Sequence, residues 1–374
     1  MKPNNNQTLA KHSKNAPLTE AQIEQLGIEL EDLKQRTLAK VGEEDARYIR
    51  RIQKAVRYTE ITGRGLLFAG IFPPAWVVGT ALLSVSKILE NMELGHNVMH
   101  GQYDWMNDPE FNGKTYEWDI VGTGDNWRHT HNYKHHTYTN IKGMDDDIGY
   151  GLLRLFPEQR WRPFYLLQPL WGALLAMLFQ WGVAIQDLEL GKVAAGRKSK
   201  EQLKKEWKPL SKKIRRQLLK DYLFFPLLAG PFFFTVFSGN LVANLVRNLW
   251  TYMIIFCGHF TADAEVFPKS VLKNEGQGHW YLRQMRGSSN LKGGKLFHIM
   301  SGNLSHQIEH HLFPTVPARR YAEMSVEVKA ICEKYGQNYN TGTLPNQFGQ
   351  VVWRILRHAL PSKVKPNPSA LATA

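Results

Sequence analysis

The sequence predicts an all-α integral membrane protein: two transmembrane helical hairpins, four spans in all, capped by a cytosolic helical domain. Three observations predict it. Residues Gly65 to Ser86, Pro163 to Gln186 and Tyr222 to Val246 carry no charge, and each run reaches the roughly 20 residues that cross a bilayer core. A fourth uncharged run, Asn248 to Ala262, follows Arg247. The segment Asp187 to Asp221 is dense in lysine and arginine, Lys204, Lys205, Lys212, Lys213, Arg215 and Arg216 among them, which assigns it to the cytosolic face.

The elements follow in order. Residues 1–17 are polar and expected to be disordered, and 18–58 read as a charged, loosely amphipathic helical segment on the cytosolic side. The N-terminus has no apolar stretch of the kind that opens a cleavable secretory signal. Residues 59–262 hold the hairpins and their cytosolic inserts, 263–358 form the cap, and 359–374 a disordered tail. The first hairpin bends at Pro73 and Pro74, where a proline pair opens a new helix. The run 163–186 is expected to lie in the interface rather than cross, because a crossing there would separate the basic segment from the histidines described next. The stretch 222–262 is expected to be a second hairpin turning near Ser238, Gly239 and Asn240.

Nine of the 14 histidines fall in three short segments. "GHNVMHG" carries His96 and His100; "RHTHNYKHH" carries His129, His131, His135 and His136; "HQIEHH" carries His306, His310 and His311. Helical spacing puts His96 with His100 on one face, and Gln307 with His310 and His311 on another. A catalytic zinc takes three protein ligands and a water, so this much imidazole is better matched to two metal ions. Imidazole suits zinc, copper, iron and nickel; iron fits best if the substrate is unactivated carbon buried in lipid. Cys257 and Cys332 are the only cysteines, which excludes a disulfide framework and any cysteine-built metal site. The net charge of +14 sits beside apolar runs, so it is read as membrane topology and lipid attraction, not nucleic-acid binding.

The ordered triplet "HNVMH", "HNYKHH" and "QIEHH" resembles the membrane-bound fatty acid desaturases, over roughly Gly65 to Pro317. The flanking text is similar to bacterial acyl-CoA or acyl-lipid desaturases. The resemblance implies two irons as cofactor and dioxygen as co-substrate. It implies metal ligands at His96, His100, His131, His135, His136, His310 and His311, with Gln307 where other members have a histidine. It also implies a ligand at His259, in "FCGHFTADAEVF", although a hydrogen-bonded interfacial histidine is the alternative there. His129, His306, Asp145, Asp146 and Asp147 are expected to orient or stack on ligands, with Asp125, Asn126 and Glu309 as further neighbours; the aspartate triplet reads equally as a loop before a helix cap. His12, His279, His298 and His358 read as ordinary polar residues.

The implied activity is insertion of a cis double bond into an acyl chain carried by coenzyme A or a lipid. The implied site is on the cytosolic face of a bacterial inner membrane. No His-Pro-Gly-Gly motif of a fused cytochrome b5 occurs, so electrons are expected from a separate protein, a ferredoxin and its reductase or a cytochrome b5-type donor. Trp76, Leu82, Leu83 and Ile88 are candidates to line an acyl tunnel. A di-iron hydroxylase or ketolase would use similar boxes; a membrane zinc hydrolase or haem-binding electron carrier is the alternative from another class.

Overall fold

A proline pair sets the first architectural feature. In the computed structural model, which describes residues 15–361, α1 (Glu20–Leu38) and α2 (Glu43–Phe68) precede a short turn, and Pro73 and Pro74 then open α3 (Pro73–Ile88). The expected bend is in place. The two helices pack antiparallel at very close range: a Cβ on Gly63 would meet the Gly79 carbonyl at 2.9 Å, and one on Gly79 the Gly63 carbonyl at 3.0 Å. Small residues are what let membrane-type helices approach this closely without a hydrophobic driving force between them.

The second half departs from expectation at its turn. Ser238, Gly239 and Asn240 do not break the chain but lie inside α7 (Phe233–His259), which follows α4 (Gln168–Met177), α5 (Phe179–Gln186) and α6 (Lys200–Leu219). The reversal comes earlier, at Gly230 and Pro231, where Gly230 takes φ +55°. Proline cannot donate to the preceding turn and glycine tolerates the left-handed region, so this pair is the stronger breaker. Gly239 and Asn240 instead pack against the first hairpin. Asn240 donates to the Asp221 carbonyl at 2.6 Å, and Arg64 and Lys87 both reach the Asp221 carboxylate, at 3.2 and 2.7 Å.

Among the described residues, one helical segment, Gly230–His259, is long and apolar enough to cross a membrane. The pair Pro163–Met177 and Phe179–Ala194 passes the same test only jointly and is bent by 101°. Length and composition thus support one or two spans, fewer than the four expected, because α2 is too charged and α3 too short to qualify on their own.

Beyond the hairpins the chain forms a cap from α8 (Gln277–Arg286), α9 (Gln307–Leu312), α10 (Tyr321–Lys334) and α11 (Leu344–Ala359). A small parallel pairing of β1 (Asn290–Lys292) with β2 (Thr341–Thr343) adds a sheet that the all-α expectation lacked. The N-terminal helix belongs to this cap by packing: Ile23, Leu26 and Leu30 share a core with Tyr281, Leu312 and Val328. The expected disorder of 1–17 and 359–374 falls almost wholly outside the described residues; within them, Ala16 N donates to the Gly336 carbonyl at 2.9 Å.

Candidate metal centre

Two stretches of π-helix, Leu89–His96 and Arg128–His135, deliver the first two histidine groups. A π turn holds one more residue than an α turn, which re-aims the side chains that follow, and such turns recur at functional sites. The third group sits on α9, and His259 is the last residue of α7. Four segments far apart in sequence thus end at one place.

There the imidazoles form two sets. His96, His100, His131 and His310 have ligand atoms within 4.8 Å of one another, as do His135, His259 and His311. His136 lies between the sets, 4.7 Å from the His100 ring and stacked 4.4 Å from the His311 ring. Gln307 stands at the second set, its amide nitrogen 3.0 Å from His259 Nε2.

Five of the rings are held from behind through Nδ1. Asp147 lies 3.3 Å from His131 Nδ1, Asp145 3.1 Å from His135 Nδ1, and the Gly287 carbonyl 3.2 Å from His259 Nδ1. Gln284 Oε1 is 3.0 Å from His311 Nδ1, with Thr139 Oγ1 at 3.2 Å, and Tyr321 Oη is 3.4 Å from His310 Nδ1. Such partners fix the tautomer and point Nε2 inward. The inward atoms are unmatched: Nε2 of His100, His131, His136 and His311, and Oε1 of Gln307, are buried without a hydrogen-bond partner. His96 Nε2 and His310 Nε2 face each other at 3.4 Å. Buried polar atoms are almost always paired, so this arrangement fits cations at the centre.

Electrostatics agree for every one of these rings but His135. Burial, reinforced by neighbouring imidazoles, pushes His96, His100, His136, His310 and His311 well below the usual histidine range, leaving neutral rings with a free lone pair. His131 is also pushed down by burial, against the opposing pull of Asp147. At His135 burial pushes downward too, but Asp145 and Asp147 outweigh it and raise the ring to about 9. Burial pushes Asp147 upward, and its histidine partners more than reverse that, to about 2.

Several expected neighbours stand elsewhere. His129 is exposed and pairs with Tyr133, 6.0 Å between ring centroids. His306 stacks on His298 at 4.6 Å instead of on a ligand ring, because the chain turns between Asn303 and Gln307. Asp146 points outward to Lys192 at 3.4 Å. Asp125 pairs with Arg128, and Glu309 accepts from Asn290 and Tyr339, so neither touches a ligand ring. Asn126 donates its backbone N–H to the Thr123 hydroxyl, which caps the short helix there. Of the residues read as ordinary, His12 lies outside the described residues, His279 pairs with Glu20 and His358 sits on α11. Gln284, Thr139 and Tyr321 were not foreseen. Each is a single polar residue in an unremarkable local pattern, with no sequence signal to mark it.

Beside the first set lies a narrow cavity of about 50 Å³ bordered by His96, His131, Met92, Trp127, Tyr150, Phe179 and Ile255. None of Trp76, Leu82, Leu83 and Ile88 borders it. Trp76 instead donates from Nε1 to the Thr235 carbonyl, Leu83 fills the contact between hairpins, and Ile88 packs in the adjoining core.

Residues 72–343 match the fatty acid desaturase family. The chain belongs to that family. A curated relative, the NADPH-dependent stearoyl-CoA 9-desaturase of Mycobacterium tuberculosis, is 48% identical over 93% of this chain and 82% of its own length. The sn-1 linoleoyl-lipid 6-desaturase of Synechocystis is 29% identical over 73% of this chain and 77% of its own, and the acyl-lipid (7-3)-desaturase of Rebecca salina 29% identical over 57% and 48%. No solved structure matches. This enzyme is therefore a fatty acid desaturase of lipid metabolism, and its buried histidine clusters suit the metal site typical of that family.

Proposed function

We propose that this desaturase inserts a cis double bond at the ninth carbon of a long saturated acyl chain carried by coenzyme A. The observation that carries the regiochemistry and the carrier is the 48% identity, along nearly the whole chain, to a relative whose name states both. That name also states dependence on NADPH; for this chain the electrons would come through a separate reductase-linked donor protein, and dioxygen would be the second substrate.

The donor set suits two irons. His96, His100, His131 and His310 would hold one ion, and His135, His259 and His311 the other, with His136 between them and Gln307 beside the second. When bound, the iron pair supplies the redox chemistry with dioxygen that removes one hydrogen from each of two adjacent methylenes. The chain's own residues do the positioning. Met92, Trp127, Tyr150, Phe179 and Ile255 border the narrow cavity against His96 and His131 and would set two adjacent methylenes of the chain beside the ions. Asp145 and Asp147 orient the His135 and His131 rings through Nδ1 and would leave Nε2 to the ions, His135 giving up a proton when one binds.

In this reading the protein is multi-pass, with four legs in the membrane: the Gly65–Ser86 hairpin with its flanking helices, and the pair formed by the end of the unbroken helical run 200–228 and α7. The segment 163–194 lies in the interface, and the basic stretch and the cap face the cytosol of a bacterial cell. The apolar run of α7 and the Gly63–Gly79 contact support it.

Expression in a host of known fatty acids, followed by gas chromatography of methyl esters with double-bond location, tests the proposal. A new 9-unsaturated product that disappears in the His310→Ala, His311→Ala double variant is the expected outcome. Unsaturation at another carbon would overturn the regiochemistry, and absence of a product in iron-replete, donor-supplied membranes fed stearoyl-CoA would overturn the substrate.

A further inference from the structure

The C-terminal helix presents apolar surface that the metal centre does not use. On α11, Val352, Trp353 and Leu356 are exposed, Trp353 by 66%, while Val351 and Ile355 on the opposite side are buried. Next to it the segment Pro163–Met177 exposes Leu166, Leu167, Leu170 and Leu174. Between the two runs an apolar groove of about 380 Å³, walled by Pro169, Ala173, Phe348, Val352 and Leu356. Its floor is Leu249 and Tyr252 of α7, the helix that is long and apolar enough to cross a membrane. The groove therefore continues the outer face of that span, where Leu241, Val246 and Leu249 are also exposed.

Polar groups frame this face on one side. Trp161 Nε1 donates to the Ala359 carbonyl at 2.8 Å, and Arg154 donates to the His358 and Leu360 carbonyls. This ties the end of α11 to residues 154–161. Arg160, Arg162 and Arg357 are exposed around that junction. An apolar face joined to a span, edged by tryptophan and arginine, is the chemistry of a helix lying at the boundary between headgroups and acyl chains.

We propose that α11 is an interfacial membrane helix, its groove against Pro163–Met177 occupied by an acyl chain of a bilayer lipid whose anionic headgroup meets Arg160, Arg162 and Arg357. The proposal rests on the membrane reading of the preceding subsection. It extends that reading to a C-terminal helix that the sequence assigned to the cytosolic cap.

The natural cysteines make the test direct, since Cys257 and Cys332 are fully buried and the unmodified protein serves as the labelling blank. Nitroxide is attached to Trp353→Cys and Leu356→Cys, to Leu241→Cys as the span reporter and to Val326→Cys on α10 as the cap reporter. All are placed in nanodiscs of phosphatidylglycerol and phosphatidylcholine. Collision with lipid-soluble oxygen is then compared with collision with a water-soluble nickel chelate. The expected result is an oxygen-to-nickel ratio at 353 and 356 matching that at 241 and several-fold above that at 326. A ratio at 353 matching 326 while 241 stays in lipid overturns the proposal and leaves the membrane reading standing. Nickel access at 241 as well overturns the membrane reading itself. Exclusion of both reagents at 353, with dipolar broadening between labels, assigns the face to a second copy of this chain and also overturns the proposal.

Discussion

Tyr321 and Gln284 hold one imidazole each by Nδ1, and neither belongs to a histidine box. Tyr321→Phe keeps the ring and its packing but frees the His310 tautomer, so iron affinity is expected to fall about 10–100-fold, read by competition against a chromogenic chelator. Unchanged affinity would show that packing alone sets the ring. Glu93 gives a second prediction at this scale. It lies beyond the apolar run ending at Ser86, where burial raises it to about 8 even though Tyr48 donates to it at 2.7 Å and Asn303 at 2.9 Å. A carboxyl raised on folding binds its proton in the folded protein at pH values where the unfolded chain has lost it. Stability is therefore full below the unfolded value and falls as pH rises toward 8, with a limiting slope of about 1.4 kcal/mol per pH unit. Melting followed by tryptophan fluorescence between pH 5 and 8 should show this decline, and Glu93→Gln should flatten it.

The hairpin contact and the buried ion cluster belong to the element scale. Gly79→Leu would drive a side chain into the Gly63 carbonyl and the Leu67 amide, where neither backbone can yield. Overpacking costs about 1–3 kcal/mol in ordinary cores, and the helix separation here makes the upper end the expected result, seen as a lower melting temperature and loss of monodisperse protein. Asp221 neutralises Arg64 and Lys87 between the two hairpins. Asp221→Leu leaves Lys87 buried without its carboxylate, while Arg64 keeps Glu60 at 2.9 Å, and is expected to cost about 3–5 kcal/mol, whereas adding Lys87→Met to it should recover part of the loss. A double variant no more stable than the single would show that Arg64 alone carries the penalty.

For the whole molecule, the proposed metal centre would act as a cross-link. Its imidazoles come from the end of the first hairpin, the 128–136 segment, the end of α7 and the cap helix α9. Ions bound there stabilise only the folded arrangement, by about 2.7 kcal/mol when free iron is 100 times its dissociation constant. Chelation is expected to lower the melting temperature and ferrous iron to restore it, with the His310→Ala, His311→Ala variant insensitive to both. A wild-type melting temperature that ignores chelation would mean that the cap and hairpins hold together by packing alone.

By itself the sequence determined the chemistry and the local geometry. Histidine spacing within each box, the Pro73–Pro74 bend and the cationic stretch depend on neighbours a few residues apart, and short-range sterics and charge act at that range. Tertiary structure alone decided the rest. Ser238–Asn240 looked like a turn but stays helical because it packs on Leu67, Thr80 and Arg64, while Gly230–Pro231 makes the reversal. Three aspartates in a row were indistinguishable as text, yet two face imidazoles and one faces Lys192. Gln284, Thr139 and Tyr321 became partners of the ligands only when distant segments met. The physical reason is the same in each case. Where a polar side chain finds its partner depends on contacts across hundreds of residues, and no local pattern encodes them.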